Sequence, residues 1–420
     1  MNKTKVAYWR KADNSGMLYP LIMTLSAQSN FRLSATLTEK VEPEILLAAL
    51  KKTYERYYMF KVELNNGLFR SCFVENFDEP KIYVDNGVAL GRIKVNTNRG
   101  FLIKVSYYKK SVYAEFFHGL TDGTGAAEFF GFLLSAYVSL SHNVDINEFY
   151  PKKDGEDEDA YDKYYGSKTK KNLLSAINKN AAQVKGKFFI HEGLGVISGQ
   201  CGFSGIKALA KEYGCSVTAL LGAFALNAAV NTLVKKSDNA PSVMFPVNLR
   251  RFFPSETLLN FVCMENVRVE NAENNPRAYA EQIGEKLKGS LNIDELSHAI
   301  NVTSTVARNP AVRFLPAFLK RFFIVAGRFF VSSTKQTLIV SNLGEFKLPD
   351  VVTPYVDDVE FLLNCNERTP LNLGVVSYKG NLRMSFSRHI VETDVERKFF
   401  ESLREVGVDC KVRSNYRENR

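Results

Sequence analysis

The 420-residue chain carries only six cysteines, at positions 72, 201, 215, 263, 365 and 410, and no C-x-x-C pair. That excludes the disulfide framework of a small secreted domain and the paired spacing of a structural zinc site, and predicts reduced thiols in a cytoplasmic protein. The first residues (MNKTKVAYWRKADNSG) are polar and basic, with no apolar core of a secretory signal. No run approaches 18 uninterrupted apolar residues, so no membrane-spanning helix is expected. Lysine and arginine form no dense block, and RNP, zinc-finger and helix-turn-helix signatures are missing, which argues against nucleic acid. There is no G-x-S-x-G either, so no serine sits in a nucleophile-elbow setting.

What is present is a globular composition, 45% hydrophobic and 24% charged. The length predicts two domains or two fused halves. The net charge of +10 favours anionic partners, and a polyphosphate-bearing cofactor fits it. The 31 phenylalanines and 19 tyrosines suit a large core or aromatic-lined cavities.

Patterning gives the order of elements. Residues 17–37 read as short strands, and a helix is expected from Thr38 or Glu39 to Met59 with Pro43 in its first turn. Residues 60–74 read as a hairpin about Asn65-Asn66-Gly67, and 101–108 with 112–117 as a strand pair. At the end of that pair stands Phe117-His118-Gly119-Leu120-Thr121-Asp122-Gly123, followed by a helix to about Ser139 for which Thr124 is the expected N-cap. Residues 152–159 (KKDGEDED) are a charge run without periodicity, read as a solvated linker or loop over 151–171. Beyond it we expect a strand over 186–190 and helices capped by Ser204 and Ser216. Strands over 242–247 and 260–269 follow, then a helix over 276–291. A strand over 335–340, strands near 371–377 and 382–388, and a helix from about Asp394 close the chain.

The stretch 311–331 (AVRFLPAFLKRFFIVAGRFFV) is basic and aromatic, and Arg313, Lys320, Arg321 and Arg328 share a side of the expected helix. Its aromatic face can pack on the second half with solvated cations, or it can touch anionic lipid or the phosphates of coenzyme A.

A histidine with an ordinary pKa of roughly 6.5 is the commonest general base at neutral pH. His118 is also explained by a plain strand-end histidine bonded to backbone, and Asp122 by a helix N-cap. His142, His191, His298 and His389 show no partner spacing.

The stretch from His118 to Gly123 resembles the H-x-x-x-D-G motif of the acyl-CoA-dependent acyltransferases with the chloramphenicol-acetyltransferase-like fold, a superfamily that includes alcohol acetyltransferases and condensation domains. Pro246-Val247-Asn248-Leu249-Arg250 followed by Asn260-Phe261 is similar to the family's P-V-x-x-R…N segment. Ser341-Asn342-Leu343-Gly344 resembles its S-N-x-G, and Arg56 to Phe60 its R-x-P-x-F region without the proline. Condensation domains carry a second histidine where Phe117 stands here, which points toward the simpler acyltransferases.

The resemblance implies an α+β fold of mixed sheets, with two similar halves forming a pseudo-dimer around a channel. Residues 1–150 are the first half and 172–420 the second. It also implies acyl transfer from acyl-CoA, a co-substrate and not a permanent cofactor, to a small-molecule hydroxyl, or alternatively an amine, with no metal. His118 would be the general base and no acyl-enzyme would form. Asp122 would pair with Arg250, Gly123 would let the backbone turn, and Asn260, Ser341 and Asn342 would support the site or the oxyanion. The alternatives are a condensation enzyme using a carrier-protein thioester and a non-catalytic binding relative.

Overall fold

The computed structural model describes residues 8–11, 30–69, 71–91, 93, 98–166, 180–190, 193–234, 239–310, 314–316, 319–320 and 336–415. The strands expected within 17–29 lie outside them, as does all but a few residues of the helix expected over 311–331.

In chain order the elements are β1 (Trp9–Lys11), β2 (Asn30–Leu37), α1 (Pro43–Arg56), β3 (Val62–Asn66), β4 (Ser71–Glu75), β5 (Ile82–Val84), β6 (Ile103–Tyr108), β7 (Ser111–Phe117) and α2 (Gly123–His142). After a helical turn at Ala160–Lys163 come β8 (Gly195–Gly202), α3 (Phe203–Glu212), α4 (Val217–Thr232), β9 (Ser242–Asn248), β10 (Val262–Arg268), α5 (Pro276–Ser290) and α6 (Ile293–Arg308). The chain closes with β11 (Leu338–Glu345), β12 (Val356–Leu362), β13 (Leu371–Tyr378), β14 (Asn381–Arg388), α7 (Asp394–Glu405) and β15 (Lys411–Ser414).

Strand periodicity builds the first core. Alternate residues Phe31, Leu33, Ala35 and Leu37 of β2 and Val112, Ala114 and Phe116 of β7 are buried on one face. Helix α2 lays Phe129, Phe130, Leu133 and Leu134 against them. Phe129 meets Phe116 edge-on at 5.8 Å, which ties the helix start to the strand end on either side of the 118–122 loop. Truncating such a buried ring costs about 3–5 kcal/mol. The second core forms around α4, which buries residues on all sides. Among the described residues no single helix is long and apolar enough to cross a membrane.

The sheets are mixed, as the fold class requires. One has the order β12-β2-β7-β6-β5 and another β10-β9-β11-β13-β14-β8-β15, with a small sheet β1-β4-β3 beside them. In the large sheet β11 runs parallel to β9 and β13, and the remaining pairs are antiparallel. Strand β12 comes late in the chain yet pairs antiparallel with β2, so it completes the sheet of the first half.

Several local expectations need correction. Helix α1 starts at Pro43, because proline fixes a helical φ and lacks the N–H that a first-turn residue leaves unbonded. Residues 186–190 contribute only an isolated bridge between Phe188 and Ile390, and the strand lies at β8 instead. Gly202, not Ser204, caps α3, and Asp122, not Thr124, caps α2.

The charge run is not a solvated linker where it is described. Arg56 grips Glu156 with two hydrogen bonds of 2.8 and 2.6 Å, and Glu156 is buried. Tyr8 and Tyr58 donate to Asp157. The backbone carbonyls of Glu156 and Glu158 accept from Leu258 N and Thr257 Oγ1. The stretch straps the end of α1 to the loop 254–261.

Candidate active site

His118 is the first residue beyond β7, and its carbonyl oxygen accepts a 3.0 Å hydrogen bond from Asn260 Nδ2. Its ring meets Phe31 of β2 edge-on at 5.1 Å. Strand end and loop thus fix the backbone of His118, and Phe31 packs against its imidazole.

Asp122 divides its two oxygens between two tasks. Oδ1 accepts from the backbone N–H groups of Thr124 and Gly125 at 3.0 and 3.2 Å, capping α2. Oδ2 accepts from Arg250 Nη1 and from the backbone N–H of Phe261, both at 2.8 Å. The N-cap and the arginine pair, rival accounts of this residue in the sequence, hold together. The side chains are 2% and 10% exposed, so the pair is out of water. A buried carboxylate is tolerated when it is paired and its lone pairs are filled, as here.

Arg250 spends its remaining donors on Thr257 O, Leu259 O and Asn248 Oδ1. Asn248 in turn donates to Thr124 Oγ1 at 3.1 Å. The loop 254–261 therefore surrounds the 118–122 turn. It receives Thr121 Oγ1 at Leu258 O, and it supplies Phe261 N to Asp122 and Asn260 to His118. Sequence reasoning caught Asn260 and Arg250 here, gave Thr124 a different role as N-cap, and missed Thr121 and Leu258. Leu258 acts through its backbone carbonyl and leaves no side-chain signal.

The glycine of the motif sits in a tight space. Gly123 does not take a left-handed φ; a Cβ there would stand 3.0 Å from Leu343 Cδ1. The expectation that it frees the backbone to turn is corrected accordingly. Gly125, which the sequence did not single out, is far tighter: a Cβ would lie 2.1 Å from Leu258 O.

Ser341 and Asn342 enter from β11. Gly344, at φ +84°, makes the bulge that follows them, and its N–H bonds to Asn342 Oδ1 at 2.9 Å. Asn342 Nδ2 donates to Thr218 Oγ1 in the first turn of α4, whose cap is Ser216. Asn342 is thus committed to holding the bulge against α4.

These elements enclose a cavity of about 290 Å³. His118, Gly123 and Thr124 line it from one half, and Asn248, Arg251 and Ser341 to Leu343 from the other. The rest of its wall is mainly apolar, from Phe245, Phe252, Val262, Met264, Leu287 and Leu291. Among the described residues Asp122 is the one carboxylate on the wall, and both its oxygens are engaged. No group of three or more metal-ligating side chains occurs among the described residues.

No protein-family model matches the chain, and no curated protein matches it in sequence. Solved structures do match its fold along nearly its whole length. Polyketide synthase associated protein 5 from Mycobacterium tuberculosis is 15% identical with a TM-score of 0.63, over 94% of this chain and 96% of that one. The TRI3 trichothecene 15-O-acetyltransferase from Fusarium sporotrichioides is 13% identical with a TM-score of 0.62, over 95% of each chain. F. graminearum TRI101, in a complex with coenzyme A and deoxynivalenol, is 11% identical with a TM-score of 0.62, over 96% of this chain and 100% of that one. With its mixed sheets and the cavity between its halves, the chain has the two-half, pseudo-dimeric chloramphenicol-acetyltransferase-like fold.

Proposed function

We propose that the chain is an acyltransferase that moves an acyl group from acyl-CoA to a hydroxyl on a small molecule, with His118 as general base. The observation that carries this reading is His118 on the wall of a cavity between the halves, at the head of a loop framed by Asp122 and Arg250. The fold match supports it, since TRI3 is an acetyltransferase by description and TRI101 was solved with coenzyme A and a small-molecule ligand.

In this reading the imidazole takes the proton of the acceptor hydroxyl as its oxygen attacks the thioester carbonyl. A positioned base of this kind contributes about 10²–10⁴ in rate. The tetrahedral oxyanion then collapses, the ester forms, and coenzyme A leaves as a thiolate that recovers the proton from the imidazolium. No acyl-enzyme is required. Asp122, Arg250, Gly123 and Asn260 hold the loop, and the Ser341 hydroxyl is the candidate donor to the oxyanion. The apolar wall suits an apolar acyl chain or acceptor body.

The test is thiol release with acyl-CoAs of increasing length and a panel of alcohols and amines. Wild type should release coenzyme A, and His118→Ala should not, with its circular dichroism unchanged. Full activity in that variant would sink the mechanism. Release from an acylated carrier protein, and not from any acyl-CoA, would transfer the reading to a condensation enzyme.

A further inference from the structure

Strand β15 runs antiparallel to β8, with Lys411 opposite Gln200, Val412 opposite Gly199 and Arg413 opposite Ser198. One step outward in that register Cys410 stands opposite Cys201, which β14 flanks on its other side through Leu382. Directly opposed residues of antiparallel strands have Cα atoms about 4.5–5.5 Å apart. A disulfide spans roughly 4.4–6.8 Å between Cα atoms. The two thiols interact, and the interaction lowers the pKa of Cys201 and raises that of Cys410. Cys201 is buried and Cys410 half-buried. The acyl-transfer site uses neither.

We propose that Cys201 and Cys410 are a covalent modification site, a cross-strand dithiol that closes reversibly to a disulfide and fastens the C-terminal edge strand. The oxidant is a low-molecular-weight disulfide such as oxidised glutathione. One thiol of the pair attacks it as a thiolate, forming a mixed disulfide and releasing one glutathione. The partner thiol then loses its proton to solvent, attacks the same protein sulfur and releases the second glutathione. Two protein thiols lose two protons and two electrons, and the small disulfide becomes two thiols. Burial pushes the Cys215 and Cys365 thiols up and that of Cys263 up to about 12, which slows their attack.

The strand so fastened joins the two sheets. Arg413 of β15 reaches Asp358 and Glu360 of β12 at 3.6 and 3.3 Å, and Asn415 bonds Val196 N and Leu194 O. Among the described strands β15 is the outermost of its sheet and pairs on one side only.

The test incubates the reduced full-length chain in a glutathione redox buffer, then counts thiols after denaturation and maps peptides by mass spectrometry. Free thiols should fall from six to four, with the peptides containing 201 and 410 joined. Deuterium uptake over 411–414 should slow. Cys410→Ser and Cys201→Ser should each leave a lasting glutathione adduct on the surviving partner. Six remaining thiols, a link between other cysteines, or glutathione on both partners without a link would overturn the site. A correct link with unchanged exchange over 411–414 would overturn the fastening.

Discussion

Asp122 and Arg250, 128 residues apart in the chain, meet at 2.8 Å in a place that water barely reaches. That contact pins the His118 turn in one half to the β9 end in the other. Asp122→Asn keeps an oxygen to cap α2 but turns an amide toward two N–H donors, Arg250 and Phe261. Removing one partner of a buried pair costs about 3–5 kcal/mol. Urea unfolding of Asp122→Asn should show a loss of that size, and adding Arg250→Met should recover part of it. A single variant within about 0.5 kcal/mol of wild type would mean that the pair does not hold the halves.

Ser341 and Asn342 are adjacent but should behave oppositely. Asn342→Ala removes the bonds to Thr218 and Gly344, so the expected loss is about 1–2 kcal/mol of stability. Ser341→Ala should leave the melting temperature in place and lower kcat by about 10²–10³, the usual effect of losing one oxyanion donor. Thermal melts with thiol-release kinetics on both variants separate the two. Unchanged turnover in Ser341→Ala would remove it from the reaction.

Glu396, in the first turn of α7, gives a pH dependence. Burial pushes its carboxyl from 4.5 up to about 7, partly opposed by Arg388 at 3.5 Å. Between those values the native chain binds a proton that the unfolded chain has already released. Stability therefore falls as pH rises through that window, by up to about 3 kcal/mol at roughly 1.4 kcal/mol per pH unit. Urea midpoints for wild type at pH 5 and pH 8 should show the decline, and Glu396→Gln should flatten it. Equal slopes in both proteins would contradict the assignment.

The parts that could be read from the sequence are those in which one segment carries its own signal. The β6–β7 pair, helix α2 and the H-x-x-x-D-G turn combine period, cap and glycine within residues 103–142. Strand β12 escaped because Val356–Leu362 (VDDVEFL) carries three acids, which reads as loop. Its acids are explained only from outside: Asp358 meets Arg383 and Arg413, and Glu360 meets Ser385 and Arg413. Strand β8 was hidden by three glycines in Gly195–Gly202. Apart from Asn260 and Phe261, the loop 254–261 was missed for another reason: most of its bonds to the 118–122 turn come from backbone groups, which any residue supplies.

Strand β12 also sets a limit on how the molecule can be divided. A piece ending near residue 150 would contain β2 and His118 but would lack Val356, Val359 and Phe361 of its own core. It would present β2, apolar on one face, as an open row of backbone donors and acceptors, the kind of edge that recruits other chains into aggregates. Expression of the first half by itself should yield insoluble protein. A soluble version would need 356–362 grafted beside β2, as in a circular permutant.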